Sequence, residues 1–345
     1  MESFYLLISI PICLTHRRPS ITTKNQPQLD VPQLVLEAHE RCREHLSPTP
    51  LEYSRYLSEK IEGEVWLKLD SMQRTASFKF RGALNKILSL TESELDKGIV
   101  SASTGNYALA VAEATRIRKR RATIYVAENI DPSRLELLRD HGLDLVIYGE
   151  GGWDAEKEAR RVAEEKDMIY VSPYNDPIVV GGQGTCGYEI SKQLPYVEAA
   201  LFACGAGGLL TGSAGWLKSQ NPKVEAFGVS PENSPVMYES MRANKMVEIE
   251  TYPTLADTCA GGVDLDSITL DLCQRYVNEI MLLTETEIEA SIRLLFEQHR
   301  LVVEGSGALG VGGLLKRKEY FKGKKVVAVV CGRNITLELF KRIIA

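Results

Sequence analysis

Short apolar runs of the buried-strand type alternate with amphipathic helical runs along most of this chain, and that alternation constrains the fold more than any other feature. Strand-like runs cover residues 65–69, 98–101, 122–127, 143–148, 200–204, 224–229 and 325–330. Helical patterns lie at 84–90, 108–117, 132–140, 155–166, 285–298 and 308–316. Strands rich in Val, Ile and Ala are buried on both faces, and a helix between successive strands carries the chain back for parallel pairing. The pattern predicts an α/β protein with mostly parallel sheets and flanking helices. At 345 residues the chain is long enough for one large or two medium cores. No low-complexity linker divides it, so a second domain would be inserted rather than appended.

Charge and cysteine usage exclude several classes of function. With 41 Lys+Arg against 46 Asp+Glu, the net charge of −5 offers nothing to a phosphate backbone, and no nucleic-acid partner is expected. The basic run Arg116, Arg118, Lys119, Arg120, Arg121 ends a helix, where a solvated face favoured by the helix dipole accounts for it. The seven cysteines are scattered without a CxxC pair, and the five histidines show no metal-ligand spacing. Most of the cysteines read as reduced thiols packed as small hydrophobes in a cytoplasmic protein. The apolar run at residues 4–14 is broken by Pro11 and too short to span a bilayer, so no membrane partner is expected. A cleaved leader and a loosely attached extension are both open for residues 1–30. Glu2 before the run and His16-Arg17-Arg18 after it favour the extension, with the fold beginning near Val31.

Ligand sites of such sheets lie beyond the carboxyl ends of the strands, so chemistry is expected at strand-to-helix turns. The turn Ser77-Phe78-Lys79-Phe80-Arg81-Gly82-Ala83 sets a lysine between two phenylalanines. Desolvation there would lower its pKa and free the amine as a nucleophile; on this turn alone a solvated surface lysine is the simpler reading. Ser103-Thr104-Gly105-Asn106-Tyr107 opens a helix, and its small hydroxyls and backbone N–H groups suit a carboxylate. An ordinary Ser/Thr cap needs the same residues. In Cys204-Gly205-Ala206-Gly207-Gly208-Leu209-Leu210-Thr211-Gly212, successive N–H groups can converge on a phosphate, although close backbone packing also explains the glycines. A fourth turn, Cys331-Gly332-Arg333-Asn334, ends the last apolar strand and would face the same crevice. Gly305-Ser306-Gly307-Ala308-Leu309-Gly310 matches GxGxxG by letter, but a helical pattern precedes it and no acid for a ribose follows the next strand.

In this order, together with Thr49-Pro50-Leu51, Gly182-Gln183-Gly184-Thr185 and Glu304-Gly305-Ser306-Gly307-Ala308, the segments resemble fold-type II pyridoxal-phosphate enzymes of the serine/threonine dehydratase and serine racemase branch. The likeness runs roughly from residue 48 to 334. It implies a tryptophan synthase β-like fold with two domains. Residues 31–97 and 175–345 would form the large cofactor-binding domain, and 98–174 a small inserted one. It also implies pyridoxal 5′-phosphate as cofactor, an amino acid as substrate and a homodimer. Lys79 would form the Schiff base and act as α-proton base, with Phe78 packing by the ring and Asn106 bonding its 3′-oxygen. Gly205, Ala206, Gly207, Gly208 and Leu209 would hold the phosphate. Cys331 would face the pyridine nitrogen, Asn334 would support that loop, and Glu304 would lie near ring and substrate. Ser103, Thr104, Gly105, Asn106 and Tyr107 would receive the substrate carboxylate.

The activity so implied is β-elimination from an L-β-hydroxy amino acid such as serine or threonine, giving a 2-keto acid and ammonia. A neutral thiol cannot hold the pyridine nitrogen protonated as a carboxylate would, which favours expelling a β-substituent. Several residues depart from the branch. Thr104 stands where racemases commonly have serine, so racemisation by Lys79 and Thr104 is disfavoured but open. Tyr107 replaces a usual histidine, and Arg333 a small residue, which together point away from a plain serine or threonine site. Ser230 and Val236 replace the two carboxylates of the usual cation site, so no metal is expected, with Glu232 the one acid left beside it. β-Replacement, and a catalytically silent amino-acid-binding regulator, are the remaining readings; an intact lysine turn speaks against the second.

Overall fold

The computed structural model describes residues 28–345; most of the expected N-terminal extension, residues 1–27, lies outside them. Ten strands occur among the described residues: β1 (Leu51–Tyr53), β2 (Glu64–Lys68), β3 (Ile99–Ala102), β4 (Ala122–Val126), β5 (Asp144–Ile147), β6 (Ile169–Tyr170), β7 (Ala199–Ala203), β8 (Glu225–Pro231), β9 (Glu279–Leu283) and β10 (Lys325–Val329). They form a six-stranded sheet of order β1-β2-β10-β7-β8-β9 and a four-stranded sheet of order β5-β4-β3-β6. All neighbours pair in parallel except β1, which runs antiparallel to β2.

Helices α1 (Val31–Cys42), α2 (Arg55–Ile61), α3 (Lys79–Ser89) and α4 (Glu92–Asp96) come before the smaller sheet. Helices α5 (Asn106–Ile117), α6 (Pro132–Asp140) and α7 (Gly152–Glu165) are the connections within it. The rest are α8 (Pro177–Gln193), α9 (Gly208–Gln220), α10 (Val236–Ala243), α11 (Ile268–Tyr276), α12 (Glu285–His299), α13 (Gly305–Lys316) and α14 (Leu337–Ile344). Their starts are written locally. Asp131-Pro132 and Asp176-Pro177 open α6 and α8 with an aspartate cap and a proline in the first turn. Thr91 with Glu94 and Thr284 with Glu287 form capping boxes on α4 and α12.

Every residue of β7 is buried, and α9 and α13 both pack against it. This explains why the central strands read as unbroken apolar runs. The smaller sheet is covered by α5 and α7. Its core also takes Phe80, Leu84 and Ile87 from α3, so the packed unit around it reaches back before residue 98.

The periodicity misses three strands. β1 is a short, mostly exposed edge and β6 has two residues, too few to show alternation. β9 is an apolar run that passes into the polar first turn of α12. It also misses α8 and α9, whose glycines weaken helix propensity. Their helices lie so close that a Cβ on Gly212 would come within 2.3 Å of the Val180 carbonyl oxygen. Close packing overrides propensity there. The GxGxxG stretch lies inside α13, which follows helix α12 rather than a strand, so it is not a strand-to-helix turn.

Candidate active site

Lys79 is the first residue of α3, five residues before the helical run begins by periodicity. The positive end of a helix disfavours an ammonium. Burial pulls the amine below the usual lysine range, and the opposing fields of Cys259, Cys331, Glu304 and Glu156 do not restore it. Its Nζ lies 5.0 Å from the centre of the Phe78 ring and 5.8 Å from that of Tyr107. No ion pair or hydrogen bond to it occurs among the described residues. The turn is bound to the segment after β10. Phe78 N–H donates to the Cys331 carbonyl (2.9 Å), Arg333 N–H donates to the Ala76 carbonyl (3.0 Å), and Ser77 bridges Gly332. Ala76 holds a left-handed φ of 60°, a local strain kept by these contacts.

The glycine loop lies between β7 and α9. Gly207 has φ of 89°, and no side chain caps the helix it opens. Backbone N–H groups from Gly205 to Leu209 therefore face an uncapped helix start, where an anion is favoured. The concavity needs its missing side chains. A Cβ on Gly205 would sit 2.9 Å from the Cys259 Cα, and one on Gly208 2.3 Å from the Gln183 Oε1. Cys331 is buried, its Sγ donating to the Ser306 carbonyl at 3.3 Å. Burial pushes this thiol well above its ordinary range, so it is neutral.

Glu304 is the hub of the opposite wall. Its Oε1 accepts from Asn106 Nδ2 (2.7 Å) and Thr258 Oγ1 (3.2 Å), and its Oε2 from the Asn334 N–H (2.9 Å). Asn334 Nδ2 donates to Asn106 Oδ1 at 2.6 Å. One hydrogen of the Asn106 amide is left for a ligand. Burial first, then the charge of Asp257, push Glu304 up to about 7 from the ordinary 4.5, against the three hydrogen bonds. A carboxyl raised in this way favours its neutral form in the fold. The associated stability is fully present below the unfolded value, falls as pH rises, and is gone above about 7. Wild type should therefore lose on the order of 3 kcal/mol more than Glu304→Gln between about pH 4.5 and 8. Urea unfolding of both proteins across that range checks it.

The remaining expected residues divide. Thr104, Gly105, Asn106, Thr258 and Asn334 line one cavity of about 360 Å³. Ser103 is close by, but its Oγ accepts from the Gly105 N–H (3.2 Å) as a local turn bond. Tyr107 differs from expectation. Its hydroxyl donates to the Ser172 carbonyl (2.7 Å), so only its ring faces Lys79. The buried, apolar surroundings of α5 make that bond obligatory for a phenol. Arg333 is exposed. Where the resemblance would place a cation site, the Ser230 hydroxyl donates to the Cys204 carbonyl (2.5 Å) and Glu232 is exposed. Thr258 and Cys259 carry no motif signal, yet both reach the site.

These parts fit a phosphorylated aldehyde cofactor. An uncapped glycine cradle would take the phosphate, an unpartnered amine would take the aldehyde, and the buried Ser77 Oγ, two residues before Lys79, lacks a partner. Such a hydroxyl costs about 1–3 kcal/mol unless something bound satisfies it. Fold and site thus define a cofactor-dependent enzyme of amino-acid chemistry. Residues 42–332 match the family described as pyridoxal-phosphate dependent enzyme, and the chain belongs to that family. Pyridoxal phosphate is its cofactor.

An L-threonine ammonia-lyase from Thermotoga maritima is 40% identical over 310 residues, 90% of this chain and 77% of that protein. The processed form of threonine deaminase isoform 2 from Solanum lycopersicum superposes with a TM-score of 0.86 at 29% identity, covering 91% of this chain and 92% of that one. Maize serine racemase superposes at 0.83 with 26% identity, over 90% and 96%.

Proposed function

We propose that this protein is a pyridoxal-phosphate dependent ammonia-lyase of hydroxy amino acids, with L-threonine as first substrate and L-serine as second. Threonine gives 2-oxobutanoate and ammonia, and serine gives pyruvate and ammonia. The water lost in elimination is regained in hydrolysis, so no oxidant is needed. The observation that carries the reading is the unpartnered Lys79 amine, held low by burial and lying in the field of Cys259, whose backbone packs against Gly205 of the uncapped glycine cradle. When bound, the cofactor supplies a sink for the electrons released at Cα.

The chain does the rest. Lys79 Nζ takes the α-proton. The start of α5, from Ser103 to Asn106, orients the carboxylate. Gly205, Ala206, Gly207, Gly208 and Leu209 hold the phosphate through backbone N–H groups, and Phe78 packs beside the ring. Neutral Cys331, with Asn334 steadying its loop, offers no charge to keep a ring nitrogen protonated, which favours loss of the β-hydroxyl over reprotonation at Cα. Racemisation keeps one supporting observation: the Thr104 side chain lines the cavity and hydrogen-bonds no protein group among the described residues. No helix among the described residues is long and apolar enough to cross a membrane. A cytoplasmic location and a homodimer belong to the same proposal, the first supported by free thiols at all six described cysteines.

A proton NMR time course in deuterated water tests the reading, with holoenzyme and separate samples of threonine, serine, 3-hydroxyaspartate and phenylserine. Keto acid appearing fastest from threonine is expected. Loss of the α-proton signal without keto acid means a racemase. No change with any of the four overturns the lyase assignment.

A further inference from the structure

A single segment of the larger unit, residues 257–264, is gripped by the smaller unit at three points. Arg134 of α6 pairs with Asp257 at 2.8 Å. Trp153 of α7 covers Gly262, whose added Cβ would lie 3.4 Å from the indole. Arg160 of α7 pairs with Asp264 at 2.6 Å, and Asp264 is further held by Asn175 Nδ2 (2.9 Å) and, through its N–H, by the Tyr174 hydroxyl (3.0 Å). The same segment reaches the site at two consecutive residues. Thr258 Oγ1 donates to Glu304, and the Cys259 backbone lies against Gly205 of the cradle.

We propose that residues 257–264 form a strap through which closure of the smaller unit sets the charge of Glu304, with Thr258 as its positioning residue and Arg134–Asp257 as the closing contact. This deepens the lyase reading and rests on it only for a kinetic arm.

The charged and titratable groups facing Glu304 are Asp257 and Cys259 of the strap, Lys79 of α3 and Cys331 after β10. Asp257 is the anion that raises Glu304. While Arg134 is seated, Asp257 presents an ion pair to the site instead of a bare charge, and ionised Glu304 is less opposed. Withdrawal of α6 exposes the full negative field, and the neutral carboxyl is favoured. Thr258 acts in the same direction as Arg134, because its hydroxyl donates to the ionised form. Gly261, within the strap, holds φ of 114°, a conformation that side-chain-bearing residues rarely adopt.

The test is an infrared pH titration of the protonated Glu304 carboxyl in holoenzyme, isolated by subtracting Glu304→Gln and read without substrate. Thr258→Val and Arg134→Gln should each raise the midpoint by roughly 0.5–1 pH unit, and Asp257→Asn should lower it by a similar amount. Thr258→Ser, which keeps the donor, should restore the wild-type midpoint, as should Arg134→Lys in large part. The pH dependence of kcat/KM for threonine should move in step. A midpoint within about 0.2 unit of wild type in Thr258→Val overturns the positioning role. The same outcome in Arg134→Gln, or a rise in Asp257→Asn, overturns the coupling. Failure of the lyase reading would silence the kinetic arm and leave the infrared titration unaffected.

Discussion

Lys79→Ala is expected to lose roughly 10³-fold or more of the lyase activity, with the fold unchanged. The two halves of that result have separate causes. Activity depends on this amine as nucleophile and base, and burial at the first position of α3 holds Lys79 below the usual lysine range. Its removal breaks no ion pair or hydrogen bond among the described residues and relieves the burial cost that depresses the amine. Circular dichroism should therefore stay near wild type, and the thermal midpoint of the cofactor-free protein should be at or above it. Borohydride treatment of the wild-type holoenzyme should leave a cofactor-sized mass increase on the peptide carrying Lys79, absent from the variant. Retention of more than about 10% of wild-type turnover would show that another base does the work.

Asp70→Asn should destabilise the fold by ~3–5 kcal/mol, far more than any surface pair. Two cations and two anions meet beneath α3. Arg81 donates Nε and Nη2 to both oxygens of Asp70 (2.8 and 2.9 Å), and Nη1 and Nη2 to both of Glu189 (2.6 and 2.9 Å). Lys68 Nζ donates to Glu189 at 2.6 Å and to the Thr49 carbonyl at 2.8 Å. Lys68, Asp70 and Arg81 are fully buried, so removing one anion leaves an uncompensated charge out of water.

Burial alone would raise the Asp70 carboxyl, but Arg81, Lys68 and Thr49 outweigh it and hold it below the usual range. Its stabilising contribution is thus present above the unfolded value near 3.9 and lost as pH falls through the folded one. Urea unfolding at neutral pH should show the full deficit in Asp70→Asn, shrinking as acid removes the wild-type advantage. A deficit under about 1 kcal/mol would mean that the cluster behaves like a surface pair. Because Arg81 lies two residues after Lys79, the cluster also fixes the helix that carries the amine, and the variant's kcat should fall along with its stability.

The candidate site could be proposed from the sequence because its parts are local. Glycines at 205, 207 and 208, the lysine between Phe78 and Phe80, and the small polar start of α5 are each confined to one turn, where residue type dictates backbone shape or amine environment. Central strands such as β7 were equally plain, since burial on both faces demands an unbroken apolar run. Helices α8 and α9 were hidden because glycine, a poor helix former, was selected there by an interhelical distance that no single segment displays.

Tyr107 shows the limit at one residue. Its identity placed a phenol at the mouth of α5, but a carbonyl 65 positions away decided that the hydroxyl turns inward. Residues 257–264 show the same limit at the scale of a segment: Asp257, Thr258 and Asp264 are ordinary polar residues until α6, α7 and Glu304 surround them. The sequence alone determined the α/β class, through burial periodicity, and pointed to the family through the resemblance of its ordered motifs; the glycine turn and the lysine stood out as candidates because each is confined to one turn. Only the tertiary structure decided which charges meet beneath α3, which donors reach Glu304 and how the two units touch, because ion pairs and desolvation depend on distances between segments far apart in the chain.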